Sequence, residues 1–138
     1  MDKKVEYLKK KDIGSYIRFI KETFDYDANQ ELIEKMIRKD KVLIIKKDNI
    51  VVASVIIEEN TEYIKNQKYY YLRYLGVLKE YRREGFASKL FEKVDALARE
   101  NNISYIELTS GNHRRSAHCF YKDKQFKIKD TTVFVKLY

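Results

Sequence analysis

A chain of 138 residues is long enough for one domain built around one hydrophobic core. Its 44% apolar and 36% charged residues exclude an extensively disordered protein, and the longest apolar run, Ile50–Ile57, is too short to cross a bilayer. The net charge of +8 allows an anionic ligand or nucleic acid, but the lysines are spread along the chain without a nucleic-acid-binding motif, so nucleic acid is the weaker alternative.

The chain start and the cysteine content predict a compartment. Residues 1–4 are polar and lead straight into an alternating segment, so no secretory leader is visible. The single cysteine, Cys119, excludes an internal disulfide and suits a reducing environment. We therefore expect a cytoplasmic protein, with Cys119 as a buried structural thiol rather than a nucleophile.

The hydrophobic patterns define the elements in chain order. The first helix is expected to be capped by Asp12, and residues 47–49 to form a tight hairpin. The predicted elements are a strand at 4–8, helices at 12–24 and 29–38, strands at 41–46, 50–58 and 69–77, a helix at 88–101, a strand at 105–109, a helix ending near 121, and strands after 126 and at 132–138. The order β-α-α-β-β-β-α-β-α-β-β predicts an α/β (α+β) fold, a single domain over 1–138. Its central sheet is mixed and mostly antiparallel, with helices on both faces.

The junction between strand 69–77 and the following helix carries the strongest functional signal. Arg82 and Arg83 precede Gly85 and the small Ala87 in a short basic turn that leads into a helix. Unsatisfied N–H groups and the positive end of the helix dipole favour a phosphate there, and glycine lets the anion approach the backbone. The turn lacks the three glycines of a dinucleotide fingerprint and the Gly-Lys-Ser/Thr of a P-loop. The sequence thus predicts an anion-binding turn.

A second motif follows the strand at 105–109. It reads Asn112-x-x-Arg115-x-Ala117-His118-x-Phe120-Tyr121 and lies on a predicted helix. Together with Arg82-x-x-Gly85-x-Ala87, it resembles the two halves of the coenzyme site of the Gcn5-related N-acetyltransferase (GNAT) family. The predicted element order is similar to that of the family along the whole chain.

The resemblance implies an enzyme that moves an acetyl group from acetyl-CoA to a primary amine of a small molecule or peptide. Attack would be direct, in a ternary complex, and without a metal. The implied partners are acetyl-CoA and the amine, with no nucleic acid or membrane, in a monomer or homodimer. The coenzyme-binding residues implied by the resemblance are Leu75, Gly76, Val77, Arg82, Arg83, Glu84, Gly85, Phe86, Ala87, Ser88, Asn112 and Tyr121. Tyr121 would also protonate the leaving thiolate, which suits a phenol with a pKa of about 10.

The general base is less defined, because Arg73 stands where many relatives carry a glutamate. An arginine cannot accept a proton at neutral pH. Glu107 is one candidate base and Glu58 or Glu59 are others, and water is a further possibility. The alternative function is a coenzyme-A-binding regulatory module without efficient turnover. Arg73 could instead recognise an acidic acceptor.

Three further positions carry expectations about local geometry. Gly76 is expected to mark a β-bulge, because an interior strand glycine often does so. Lys79 replaces the usual proline of the family, and Gln125 the usual glycine, both at predicted turns. His113 and His118, the only histidines, lack the spacing and ligand number of a zinc site.

Overall fold

The structure, a computed structural model, describes residues 3–138, which divide into two units between Leu108 and Thr109. The first unit holds a five-stranded sheet and three α-helices, and the second holds the last helix. The elements are β1 Val5–Tyr7, α1 Ile13–Phe24, α2 Gln30–Lys39, β2 Lys41–Lys47, β3 Ile50–Glu62, β4 Gln67–Val77, α3 Phe86–Glu100, β5 Tyr105–Glu107 and α4 Arg115–Asp123, with short 3-10 turns at Lys10–Asp12 and Lys79–Tyr81.

The sheet has the order β1-β2-β3-β4-β5. The first three pairs are antiparallel, whereas β4 and β5 run parallel. The tight hairpin between β2 and β3 is present, with φ of 52° at Asp48 and 64° at Asn49, as in the turns that match the twist of paired strands. The predicted mixed, mostly antiparallel sheet is confirmed.

Helices pack on both faces of the central strands, which explains the uninterrupted apolar stretches of β2 and β3. Val51–Ile57 is buried throughout, and the hydroxyl of Ser54 within it donates to the Leu43 carbonyl at 2.8 Å. On one face, the Ser15 hydroxyl of α1 accepts a hydrogen bond from the Val51 N–H at 2.9 Å. On the other, the Tyr70 hydroxyl lies 3.4 Å from the carbonyl oxygen of Leu97 in α3. We call the first of these the α1 face.

The first two helices differ in their capping, and the cap predicted at Asp12 is not formed. Asn29 caps α2, since its side-chain oxygen accepts from the Leu32 N–H at 3.0 Å. Asp12 lies at the N-cap position of α1, but its carboxylate contacts the Lys46 ammonium at 3.3 Å and makes no capping hydrogen bond. The half-buried Lys46 ammonium competes better for this carboxylate than the backbone does. Among residues 3–138, no helix combines the length and apolarity required to span a membrane.

The C-terminal segment differs from the prediction. The strands expected after Phe126 and at 132–138 are not formed, and Ile128, Phe134 and Leu137 are 79%, 90% and 87% exposed. Strands need a neighbouring strand to satisfy their backbone groups, and the second unit contains only α4. An alternating apolar pattern is thus insufficient to form a strand within this unit.

Candidate active site

Residues 82–88, here called the coenzyme loop after their predicted role, comprise the end of the β4–α3 connection and the first turn of α3, and they contain two left-handed residues. Arg83 has φ of 65° and Gly85 has φ of 83°. The N–H of Lys89 donates to the Gly85 carbonyl at 3.1 Å as α3 begins, so the helix starts at Phe86, earlier than predicted. The N–H groups of the first turn therefore belong to the predicted anion-binding residues, which include Phe86 and Ala87.

The space above Gly85 is open. A Cβ built on this residue would meet only the Lys3 ammonium nitrogen, at 3.8 Å, among neighbouring atoms. The same nitrogen lies 5.4 Å from the ring centroid of Phe86. A backbone that can be approached this closely, beside a cation and a helix N-terminus, suits an anionic group. Sequence reasoning missed Lys3, because nothing in the motif connects the chain start with the loop.

Arg82 has a structural contact within the loop. Its Nε donates to the carbonyl oxygen of Val77 at 3.1 Å, which ties the loop to the last residue of β4. Lys79 begins the 3-10 turn in between, at a position predicted to lie in a turn. Arg82 thus orients the loop, while the side chains of Arg83 and Glu84 are exposed.

A β-bulge interrupts β4 before the loop. Ile56 of β3 pairs with Arg73 and Ser54 pairs with Gly76, so Val55 alone stands opposite two residues, Tyr74 and Leu75. Tyr74 has φ of 50°, the left-handed conformation expected within a bulge. The predicted bulge is confirmed, and it is formed by the two residues that directly precede Gly76.

Gly76 is required by close packing against α1. A Cβ at this position would lie 2.7 Å from Cζ of Phe24 and 2.8 Å from Cγ2 of Thr23. The Phe24 ring belongs to an aromatic group with Tyr74 and Tyr26. The ring centroid of Tyr74 lies 5.1 Å from that of Phe24 and 6.2 Å from that of Tyr26. The glycine therefore lets the end of α1 approach the bulge.

β4 extends beyond β5 on the side of this bulge. β5 is only three residues long, and its parallel pairing joins Tyr105–Glu107 to Tyr69–Tyr71, whereas β4 continues to Val77 with β3 alongside it. Residues 75–77, expected to contact the coenzyme, lie in this extended part of β4. A strand that continues past its neighbour presents an edge to which an extended ligand can add.

The candidate bases are distributed over both faces of the sheet. Glu58 lies on the α1 face and binds Arg73, with 2.8 Å between its carboxylate and Nε. Glu59 points to the opposite face and contacts Lys41 at 3.7 Å. Tyr71 pairs with Glu58 on one side and with Glu107 on the other, which places both carboxylates in one row of the α1 face. Arg73 is thus paired with Glu58, and Glu59 lies on the wrong face to share their site.

In the second unit, Tyr121 lies near the end of α4 among aromatic rings. Its ring centroid is 5.8 Å from that of Phe120 and 5.9 Å from that of Phe126. Burial raises the pKa of the Tyr121 phenol above its usual value of 10.0, and the charge of Arg114 partly offsets this. The phenol is consequently protonated at neutral pH, as a proton donor must be.

The end of α4 has a backbone conformation that favours glycine at position 125. The N–H of Phe126 donates to the Tyr121 carbonyl at 3.0 Å and that of Gln125 to the Lys122 carbonyl at 3.0 Å. These two bonds define a Schellman cap, whose central residue is left-handed. Gln125 adopts φ of 71° there, so the chain keeps the turn with a less suitable residue.

Several other side chains of the second motif are exposed. Asn112 and His113 lie exposed in the turn before α4, where Asn112 is a candidate to bind the coenzyme. Cys119 is also exposed, which corrects the expected buried thiol. Residues 117, 120, 121 and 124 share one helix face by their spacing, and Cys119 lies on the other. Within residues 3–138, no three His, Cys, Asp or Glu side chains converge as a metal site would require.

Comparison with solved structures identifies the class of fold. An acetyltransferase of Trypanosoma brucei superposes with a TM-score of 0.83 at 14% identity, covering 97% of this chain and 99% of the other. The ribosomal-protein-alanine N-acetyltransferase of Brucella melitensis biovar Abortus 2308 gives 0.81 at 16% identity, covering 98% and 99%. An aminoglycoside 6'-N-acetyltransferase of Acinetobacter baumannii gives 0.82 at 15% identity, covering 98% and 97%. At these identities the likeness shows the fold alone, which is that of acetyltransferases.

The family follows from the sequence. A family model described as the acetyltransferase (GNAT) family matches residues 7–126, and the chain therefore belongs to this family. The match spans both motifs and confirms the predicted resemblance. No curated protein matches the chain.

Proposed function

We propose that this protein is an acetyl-CoA-dependent N-acetyltransferase that acetylates a primary amine of a small molecule or peptide by direct attack in a ternary complex. The observation that carries the proposal is the bulged end of β4, which continues past its short pairing with β5 and leads to the coenzyme loop. The family match runs across the boundary between the two units, so we propose that both belong to one catalytic domain. Cytoplasmic location and a monomeric or homodimeric state stay predictions from the sequence.

On the donor side, backbone groups do most of the binding. The first-turn N–H groups from Phe86 to Ser88 would bind the pyrophosphate, assisted by the helix dipole. Backbone groups of Leu75 to Val77 would pair with the pantetheine arm as an added strand does, and an N–H there would donate to the thioester carbonyl. Asn112 would hydrogen-bond the same arm.

On the leaving-group side, Tyr121 would donate its phenolic proton to the thiolate. Its raised pKa keeps the proton in place until negative charge develops on sulfur. No covalent acetyl-enzyme is needed, because the amine attacks the thioester carbonyl while the sulfur departs. The products are the amide and the free thiol.

For the amine proton we propose Glu107, with Glu58 as the alternative base. Both lie on the α1 face, in one row with Tyr71. Glu58 is the carboxylate that neutralises Arg73, and a proton on it would weaken that ion pair. Arg73 would then position Glu58 rather than recognise an acidic acceptor.

The test is release of free thiol from acetyl-CoA with a panel of primary amines, with the acetylated product detected by mass. We expect turnover by the wild type. Tyr121→Phe should reduce kcat about 100-fold while the KM for acetyl-CoA changes little, because the hydroxyl acts only as sulfur departs. Glu107→Gln should reduce kcat at neutral pH more than Glu58→Gln, and the opposite order would assign the base to Glu58.

A coenzyme-bound wild type that never releases thiol above background would defeat the proposal. It would favour the regulatory module instead, which the presence of Arg73 at the usual base position supports. An unchanged rate in Tyr121→Phe would remove this residue as the acid.

A further inference from the structure

We infer that Lys3 binds the pyrophosphate of the coenzyme and forms, from the chain start, a side wall of the coenzyme loop. The inference rests on the proposed function, because it concerns the same donor site. Lys3 precedes β1 and lies outside both sequence motifs.

The position of the ammonium group is the first argument. Its nitrogen lies 3.8 Å from the point where a Gly85 Cβ would be and 5.4 Å from the Phe86 ring centroid. It thus stands on the open side of the left-handed glycine, where an anion would approach the backbone. An anion held by the first-turn N–H groups would lie within ion-pair distance of this cation.

The charges of the neighbouring residues are the second argument. Arg82 donates its Nε to the Val77 carbonyl, and the Lys47 ammonium lies over the Tyr81 ring at 5.3 Å. Within residues 3–138, the ion pairs that form do not include Lys3. Lys3 is half-buried, and its ammonium lies beside the Phe86 ring. A cation in this position gains from an incoming anion, because an aromatic ring compensates lost hydration weakly.

The test compares Lys3→Ala with Lys4→Ala in the full chain. Lys4 is the exposed neighbour, and its replacement removes the same charge one residue away. Dissociation constants for coenzyme A, 3'-dephospho-coenzyme A and pantetheine are measured by calorimetry at low and high salt. We expect Lys3→Ala to weaken coenzyme A binding roughly tenfold, the scale of a lost hydrogen bond to a charged group. Lys4→Ala should change it less than twofold.

The analogues locate the contact. The loss should persist with 3'-dephospho-coenzyme A, which keeps the pyrophosphate, and vanish with pantetheine, which lacks it. It should shrink at high salt, and Lys3→Arg should recover most of the affinity. A merely structural contact with Phe86 would lower the melting temperature without this dependence on ligand.

Equal affinities in Lys3→Ala and Lys4→Ala, with a wild type that binds coenzyme A, would overturn the inference and leave the proposed function intact. A loss that disappears with 3'-dephospho-coenzyme A would move Lys3 to the 3'-phosphate and overturn it as well. A wild type that does not bind coenzyme A at all would refute the proposed function itself.

Discussion

Replacement of Gly85 by glutamate tests the coenzyme loop most directly. The residue has φ of 83°, and only the Lys3 ammonium lies within 4 Å of the point that a Cβ would occupy. The folded protein thus has room for a side chain, and its main cost is the left-handed backbone, about 1–2 kcal/mol. Replacing glycine also lowers the conformational entropy of the unfolded chain, which offsets about 0.5–1 kcal/mol of this cost. We expect a net loss of about 1 kcal/mol and a folded variant.

The effect on binding should be much larger. A carboxylate about 5 Å from a phosphate charge costs about 3 kcal/mol at a surface-like effective dielectric constant of about 20. That corresponds to a roughly 100-fold higher dissociation constant for acetyl-CoA. Steric exclusion of the pyrophosphate would add to it.

The assay is calorimetric titration of acetyl-CoA, with the fold checked by circular dichroism. Gly85→Ala separates strain from charge and should weaken binding less than Gly85→Glu. Gly14→Ala is the matched control, because Gly14 has no atom within 4 Å of its Cβ position and lies in α1. A folded Gly85→Glu variant with wild-type affinity would refute the assignment of the loop to the pyrophosphate.

Two further predictions concern stability. Gln125→Gly should raise the free energy of unfolding by about 0.5–1 kcal/mol, since glycine removes the left-handed strain at the cap of α4. Urea unfolding measures this change. As a control, Lys124→Gly at the preceding position should instead lower the free energy of unfolding. An unchanged or lower urea midpoint for Gln125→Gly would contradict the cap assignment. Burial raises the pKa of Tyr16 far above its usual value of 10.0 and that of Tyr70 in the same direction. Both phenols are protonated in either state below pH 10, but above it the unfolded chain loses its protons first, so stability should fall as pH rises through the alkaline range. Unfolding at a series of pH values tests this, and Tyr16→Phe should show a shallower decline than the wild type; equal slopes would count against it.

Local patterns predicted the elements of the first unit well. The hairpin at Asp48 and Asn49 depends on neighbours in the sequence, so the residues themselves carry the information. The bulge could be anticipated from Gly76, because a missing side chain in a strand signals close packing. These features need no knowledge of distant residues.

Contacts between distant residues explain what the sequence did not reveal. The pair of Arg73 with Glu58 depends on the register of β3 against β4, which the sequence does not state. Lys3 reaches a loop that lies far along the chain, at Gly85. The exposure of Cys119 depends on which side of α4 is covered by other residues. The spacing of aromatic residues along a short helix does not determine that side.

The bulge in β4 has a consequence for how such a site can arise. Between the pairs Ile56–Arg73 and Ser54–Gly76, β4 holds one residue more than β3. Removal of that single residue would leave the flanking pairs in register and produce an uninterrupted antiparallel ladder. The part of β4 at which we propose that the thioester binds therefore differs from a regular hairpin by a one-residue insertion. A change of chain length by one codon would separate an uninterrupted ladder from the bulged strand on which the proposed site depends.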